Sequence, residues 1–394
     1  MKTAVKKIFM RCSCALLATV LLGSSFLVHA EKAEKKEVAM SYTAKAAYLI
    51  EQKTGKVLFS QNETQKLAPA SLTKLMDLIL IYEALEKGSL SMQQKLSCSE
   101  YAKTMGGSEI WLKEGEQMTV EELLKALIVA SANDAAVVFA EAIAQTEEGF
   151  VQLMNEKARE MGLENTHFVN CTGFDEEGHY TCAKDVAQMA RLLMENYGEE
   201  ITKFSTIWMD SLRNGETELV NTNRLVRFYE GTTGLKTGTT DAAGHCLCAT
   251  ATRGDLSLIS VIMGCSSGAV RFEESKQLLD YGFTHFTRFQ PENVENTLEP
   301  VPIERGIPSN VTAKIKTMPQ AVVRKEEEEN LNVQIQINPD LQAPVKKGEE
   351  IGKVLLMNQN QVIAEEPITS AQEVERLTFT KSFSVLFRES VSMK

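Results

Sequence analysis

The chain has 394 residues, 43% of them hydrophobic and 24% charged, with 42 basic against 53 acidic side chains and a formal charge of −11. That length builds more than one compact unit, and that hydrophobic content excludes a disordered chain. The acidic excess argues against nucleic acid as a partner.

The first thirty residues stand apart. Lys2, Lys6, Lys7 and Arg11 flank the start of the apolar run CSCALLATVLLGSSFLV, and Val28-His29-Ala30 leads into EKAEKKE. This layout predicts a secretory signal peptide over residues 1–30 and an exported protein, periplasmic or on the extracytoplasmic face of the cell membrane. An uncleaved N-terminal anchor is the other reading, although the run is short for a bilayer span. Without the four basic residues of this segment, 38 basic side chains remain against 53 acidic, a formal charge near −15.

Six cysteines follow the segment: Cys98, Cys171, Cys182, Cys246, Cys248 and Cys265. They are expected to be mostly buried free thiols, with Cys171 and Cys182 the pair to test for a bridge. His167, His179, His245 and His285 form no HExxH pattern and no zinc-type spacing with cysteine, so no metal and no cofactor is expected.

Residues 46–59 read as two strands around a turn at Lys53-Thr54-Gly55. A helix is predicted from Ser71 through LTKLMDLILIYEALEKG to Gly88, apolar enough to be buried on several sides. Residues 119–145 give two helical segments with Ser131-Ala132-Asn133 between them; further helices are predicted over 149–161 and 183–197. Strand patterns resume near 217 and strengthen over 243–264, an antiparallel pair turning at Arg253-Gly254-Asp255, before a helix over 271–283. This order predicts an α/β (α+β) domain over 38–285 whose antiparallel sheet joins distant parts of the chain, with a helical subdomain. Alternating apolar and polar residues punctuated by Pro and Gly then predict a small β-rich domain over 295–368. Residues 374–394 read as an amphipathic tail: Phe379, Phe383, Leu386 and Phe387 lie roughly on one side, with Arg376, Lys381, Arg388 and Lys394 as basic company. Such a segment suits peripheral contact with a membrane interface, the alternative being an ordinary packed or frayed terminus.

Three short motifs can carry chemistry. In 67-LAPASLTKLM-76, a helix start puts the Ser71 hydroxyl near positive helix charge, and Lys74 follows one turn later on the same side. A lysine there takes the serine proton if burial and neighbouring positive charge keep its amine neutral. In 131-SAN-133, Ser131 can relay a proton to a leaving nitrogen and Asn133 can hold a substrate carbonyl. In 234-GLKTGTTDAAG-244, Lys236 and Thr237 can bind a carboxylate, and Gly238 lets substrate approach the backbone. The N–H groups of Ser71 and Thr239 can form a two-donor oxyanion hole.

SxxK, SxN and KTG in this order match the serine acyl-transfer pattern of penicillin-binding proteins and serine β-lactamases. The text between them, 107-GSEIWLKEGEQMTVEELLKALIVASANDAA-136, 154-MNEKAREMGLENTHFVNCTGF-174, 179-HYTCAKD-185 and 221-NTN-223, resembles the low-molecular-weight D-alanyl-D-alanine carboxypeptidases of the penicillin-binding protein 5/6 type, peptidase family S11. Residues 342–354 resemble that family's second domain more weakly. The resemblance implies a DD-peptidase that removes the terminal D-alanine from peptidoglycan stem pentapeptides and is acylated by β-lactams. It implies Ser71 as nucleophile, Lys74 as general base, Ser131 and Asn133 as relay and positioning pair, and Lys236 with Thr237 as carboxylate-binding residues. Ala132 stands where the family usually has glycine, and Thr239 where it often has histidine or tyrosine. Residues 217–234 diverge more, and no role is carried onto Asn223 or Arg224. A class A β-lactamase, with Asp175, Glu176 or Glu177 for deacylation, and a non-catalytic peptidoglycan-binding envelope protein are the competing readings.

Overall fold

A computed structural model describes residues 41–380; the signal segment over 1–30 and tail residues 381–394 lie outside the described residues. In the larger domain, β1 (Ala46–Glu51) and β2 (Val57–Gln61) form the expected hairpin, and α1 (Lys74–Glu86) follows the first motif. A small hairpin, β3 (Lys95–Ser97) with β4 (Gln117–Thr119), leads into the helices α2 (Val120–Lys125), α3 (Asn133–Ala144), α4 (Glu147–Glu160) and α5 (Ala183–Ser205). The hairpin β5 (Met209–Leu212) and β6 (Thr217–Val220) and the short α6 (Leu225–Phe228) then return the chain to β7 (Thr232–Thr240), β8 (Gly244–Arg253) and β9 (Leu256–Cys265). The domain closes with α7 (Gly268–His285).

The principal sheet runs β2-β1-β9-β8-β7, all antiparallel, so the strands that open and close the domain meet at its centre. β9 is apolar on both faces because both are covered. Ile259, Val261 and Met263 belong to the same core as α1, α3 and α5, whereas Leu258 on the other face packs at Gly282 of α7 beside Leu49 of β1. This leaves β7 as a sheet edge against the helical part of the domain.

Helix α1 is buried from Lys74 to Tyr82, which accounts for its apolar composition all round. The expected helix start at Ser71 is a 3₁₀ turn over Ala70–Thr73, and α-helix proper begins at Lys74. Helix α5 extends beyond the predicted end at Tyr197: that residue leaves helical geometry (φ −131°) just before Gly198, and the helix resumes after the kink.

After α7 come β10 (Phe286–Phe289), β11 (Val301–Pro302), β12 (Gly306–Ile307), β13 (Asn310–Val311), β14 (Ala313–Ile315), β15 (Ala321–Arg324), β16 (Leu331–Ile337), β17 (Glu350–Asn358), β18 (Gln361–Ser370) and β19 (Glu375–Arg376). The main sheet of this β-rich part is β14-β18-β17-β16, over a core that includes Val311, Ile315, Val354, Ile368 and Val374. Two features depart from expectation. β10, in the segment read as a boundary, pairs along its length with β15, and Lys56 of the first hairpin donates to the Val322 carbonyl at 2.6 Å. The first residues of the segment read as an amphipathic tail belong to the β-rich part: Val374 is buried core and Glu375–Arg376 pair with β12.

Candidate active site

The first wall of the site is the turn before α1. Ala70 sits at φ 48° and opens the 3₁₀ segment in which Ser71 comes second. Thr73 pins this turn, donating to the Ala70 carbonyl at 2.8 Å. Buried His179 accepts the Val169 N–H on Nδ1, so its Nε2 carries the proton and donates to Thr73 Oγ1 at 2.8 Å. Burial pushes the His179 imidazole down to about 4, keeping it neutral in this bracket.

Lys74 is wholly buried, and its Nζ meets Ser71 Oγ at 3.2 Å, Asn133 Oδ1 at 2.7 Å and the Thr172 carbonyl at 2.6 Å. Burial pushes its amine down to about 8, against the opposing pull of Asp77, Cys171, Asp134 and Glu147. The Ser71 contact is the longest of the three. It is the one that reverses when the amine is neutral, with Ser71 O–H then donating to Nζ.

The second wall is the connector between α2 and α3. Residues Ala126–Ala130 form a π turn, and Ser131 closes it in the left-handed region at φ 63°. This wider turn lets the chain step inward before α3 restarts at Asn133. Asn133 is held from both ends: its N–H donates to the Ser108 carbonyl at 2.6 Å and its Nδ2 to the Gly106 carbonyl at 2.8 Å. Next to it, the buried Asp134 carboxylate accepts the N–H groups of Ile110 and Leu112 and ties the 106–112 loop to α3.

The third wall is the edge strand β7. Lys236 is almost fully buried and donates to Ser131 Oγ at 2.7 Å and to the Thr237 carbonyl at 3.0 Å. Burial, with the positive charges of Lys74 and Arg271, holds its amine well below the usual lysine range. Thr237 donates to Thr222 Oγ1 at 2.8 Å. A β-carbon on Gly238 would stand 3.0 Å from Ala70 Cβ and 3.1 Å from the Ser71 amide nitrogen, so bare backbone is what lets β7 pass beside the turn that carries Ser71. Gly173 does the same from the loop carrying Thr172: at φ 87°, its β-carbon would strike the Ala70 carbonyl.

The structure thus joins Ser71, Lys74 and Asn133 through one amine, and Ser131 to Lys236 through the other, with Thr237, Gly238 and Thr239 along the facing edge. Sequence reasoning missed Thr172, Thr222 and Arg271. Thr172 contributes a backbone carbonyl, which leaves no side-chain signature beyond the Gly173 that follows. Arg271 donates from α7 to the Gly238 carbonyl and Thr239 Oγ1, both at 3.1 Å, and only the fold brings it there. Asn223 acts as a bracket, donating to the Gly234 carbonyl at 3.1 Å, whereas Arg224 is exposed and lines an open cavity with Arg271, Thr222, Trp208 and Phe228. Asp175 accepts Thr240 Oγ1 and the Ala242 N–H, and Glu176 accepts Asn170 Nδ2, so these loop acids tie loops together. The six cysteines are buried and free, Cys171 and Cys182 among them.

A serine hydroxyl within reach of a buried amine, backed by a second buried lysine and an asparagine on an α+β scaffold, is an arrangement that can activate a serine for acyl transfer. The family model described as D-alanyl-D-alanine carboxypeptidase matches residues 30–267, and that of the penicillin-binding protein 5 C-terminal domain matches residues 286–376. D-alanyl-D-alanine carboxypeptidase DacF of Bacillus subtilis is 40% identical over 373 residues, covering 92% of this chain and 95% of that protein. Penicillin-binding protein 5 from Haemophilus influenzae has a solved structure that is 28% identical with TM-score 0.75, covering 86% of this chain and 99% of that one. Penicillin-binding protein D2 from Listeria monocytogenes, in its ampicillin-bound form, is 30% identical with TM-score 0.55, covering 62% of this chain and 98% of that one. The chain belongs to the D-alanyl-D-alanine carboxypeptidase family, peptidase family S11.

Proposed function

We propose that the chain is an exported serine-type D-Ala-D-Ala carboxypeptidase that removes the terminal D-alanine from peptidoglycan stem pentapeptides. The observation that carries this reading is the amine of Lys74, shared between Ser71 Oγ and Asn133 Oδ1 inside a buried site. Family membership and the ampicillin-bound relative support both the activity and covalent inhibition by β-lactams.

Ser71 Oγ attacks the carbonyl carbon of the penultimate D-alanine while its proton passes to Lys74. The oxyanion so formed takes hydrogen bonds from the N–H groups of Ser71 and Thr239. The C–N bond then breaks, and the departing nitrogen receives the proton through Ser131; water hydrolyses the acyl-enzyme. Asn133 holds the substrate amide. The terminal carboxylate lies against Lys236 and Thr237, where Arg271 adds positive charge behind the strand edge. A lysine held below its usual range in a site with two other cations gains a proton most readily when an anion arrives.

Among the described residues no helix is long and apolar enough to cross a membrane. We place the enzyme outside the cytoplasmic membrane on the layout of residues 1–30, with the C-terminal tail as a candidate peripheral contact. A β-lactamase reading fits less well, since Asp175 and Glu176 contact loop groups and a second domain follows. The test is D-alanine release from a diacetyl-Lys-D-Ala-D-Ala peptide by wild type and Ser71→Ala. Release by wild type alone is expected; equal release by the variant overturns the assignment of Ser71.

A further inference from the structure

An oxyanion hole works only if its N–H groups are aimed before the charge develops. The Ser71 N–H shares one planar peptide group with the Ala70 carbonyl, so whatever holds that carbonyl fixes the direction of the N–H. Ser71 lies in the first turn of its 3₁₀ segment, where an N–H has no intrahelical acceptor. Ala70 stands at φ 48°, a left-handed conformation that an alanine keeps only where its surroundings impose it. Two neighbours do so. Gly173 lies so close that any β-carbon on it would collide with the Ala70 carbonyl, and Thr73 Oγ1 donates to the same carbonyl at 2.8 Å.

A free threonine hydroxyl can turn its proton elsewhere, and His179 is what stops it. The Val169 N–H donates to His179 Nδ1 at 2.8 Å, which leaves Nε2 as the protonated nitrogen, 2.8 Å from Thr73 Oγ1. Nε2–H can only donate, so the Thr73 hydroxyl accepts that bond and sends its own proton to Ala70. His179 and Thr73 are both buried, which keeps solvent from taking either bond.

We propose that His179 is a positioning residue for the oxyanion hole: it fixes the Thr73 hydroxyl, which fixes the Ala70 carbonyl and so aims the Ser71 N–H at the tetrahedral intermediate. The inference rests on Ser71 as nucleophile and on its N–H as one of the two oxyanion donors. His179 touches neither substrate nor reacting atoms, and every hydrogen bond of the chain keeps its direction through the cycle. The loop over residues 169–173 thereby acts twice on the turn, through the Thr172 carbonyl on Lys74 and through the Val169 N–H and His179 on the oxyanion donor.

The test is release of D-alanine from the diacetyl-Lys-D-Ala-D-Ala peptide, together with inhibition by a boronic-acid analogue of that peptide, whose adduct on Ser71 is a tetrahedral anion with an oxygen in the hole. In His179→Ala, kcat is expected to fall about tenfold to a hundredfold, less than for loss of a whole donor, with KM near the wild-type value. Affinity for the boronate falls by the same factor, because it too needs the aimed N–H. His179→Gln restores most of both, since its carboxamide can accept the Val169 N–H and donate to Thr73. Thr73→Val interrupts the same chain at its other end and gives a similar loss, so it serves where His179→Ala does not fold. Wild-type kcat in both His179→Ala and Thr73→Val overturns the proposal, as does a loss that appears in KM alone or that His179→Gln leaves unrelieved. No D-alanine release by wild type overturns instead the activity on which the inference rests.

Discussion

Two regions of this molecule each bury a lysine, and they do so in opposite electrostatic settings. At the start of α1, Lys74 has Asp77, Asp134 and Glu147 pulling its proton affinity back up, and it settles near 8. At the edge strand β7, burial first and then the neighbouring cations Lys74 and Arg271 drive Lys236 well below the usual range. The same side chain is thereby suited to two tasks. An amine that titrates near working pH can accept and return a proton, whereas one surrounded by positive charge awaits an anion.

The strongest way to break this comparison is to remove each amine in turn. Lys74→Ala is expected to slow acylation by peptide and by penicillin alike, by about a hundredfold to ten-thousandfold, because the proton acceptor is gone whatever the substrate's charge. Equal acylation rates in variant and wild type reject the base role. Lys236→Met is expected to cost activity chiefly against substrates with a free C-terminal carboxylate. The penalty on kcat/KM should shrink for the corresponding C-terminal amide; an equal loss for both removes Lys236 from carboxylate binding.

Two smaller effects sharpen it. With Lys74 near 8, about one-tenth of the amine is neutral at pH 7 and half at pH 8, so the acylation rate should rise roughly fivefold over that interval and level off above pH 9. The smallest effect on catalysis is expected far from both lysines. Ile351→Ala opens a cavity in the small β-rich part at a cost of about 2–5 kcal/mol of that part's stability, with acylation of Ser71 unchanged.

The motifs were legible because each places its chemistry on side chains at a boundary between elements, where local sequence shows both residue type and geometry. Ser71, Lys74, Ser131, Asn133 and Lys236 could be named in that way, as could the α+β order and the hairpin of β8 and β9. What escaped notice acts through backbone or through tertiary approach. The Thr172 carbonyl has no side-chain code, and Arg271 reaches β7 only after α7 has packed on the sheet. Asp77 sits in an apolar helix as a single polar letter, and its burial could be known only once every side of α1 was covered. The pairing of Val374 and the two residues after it was hidden for a related reason: it is a long-range demand that the local sequence does not register.

The most direct measurement is intact-protein and peptide-map mass spectrometry after benzylpenicillin, compared with the same analysis of Ser71→Ala. The account predicts one penicilloyl adduct per chain, on the peptide bearing Ser71, persisting long enough to isolate and absent from the variant. An adduct on another residue, or full penicillin turnover by Ser71→Ala, would contradict it.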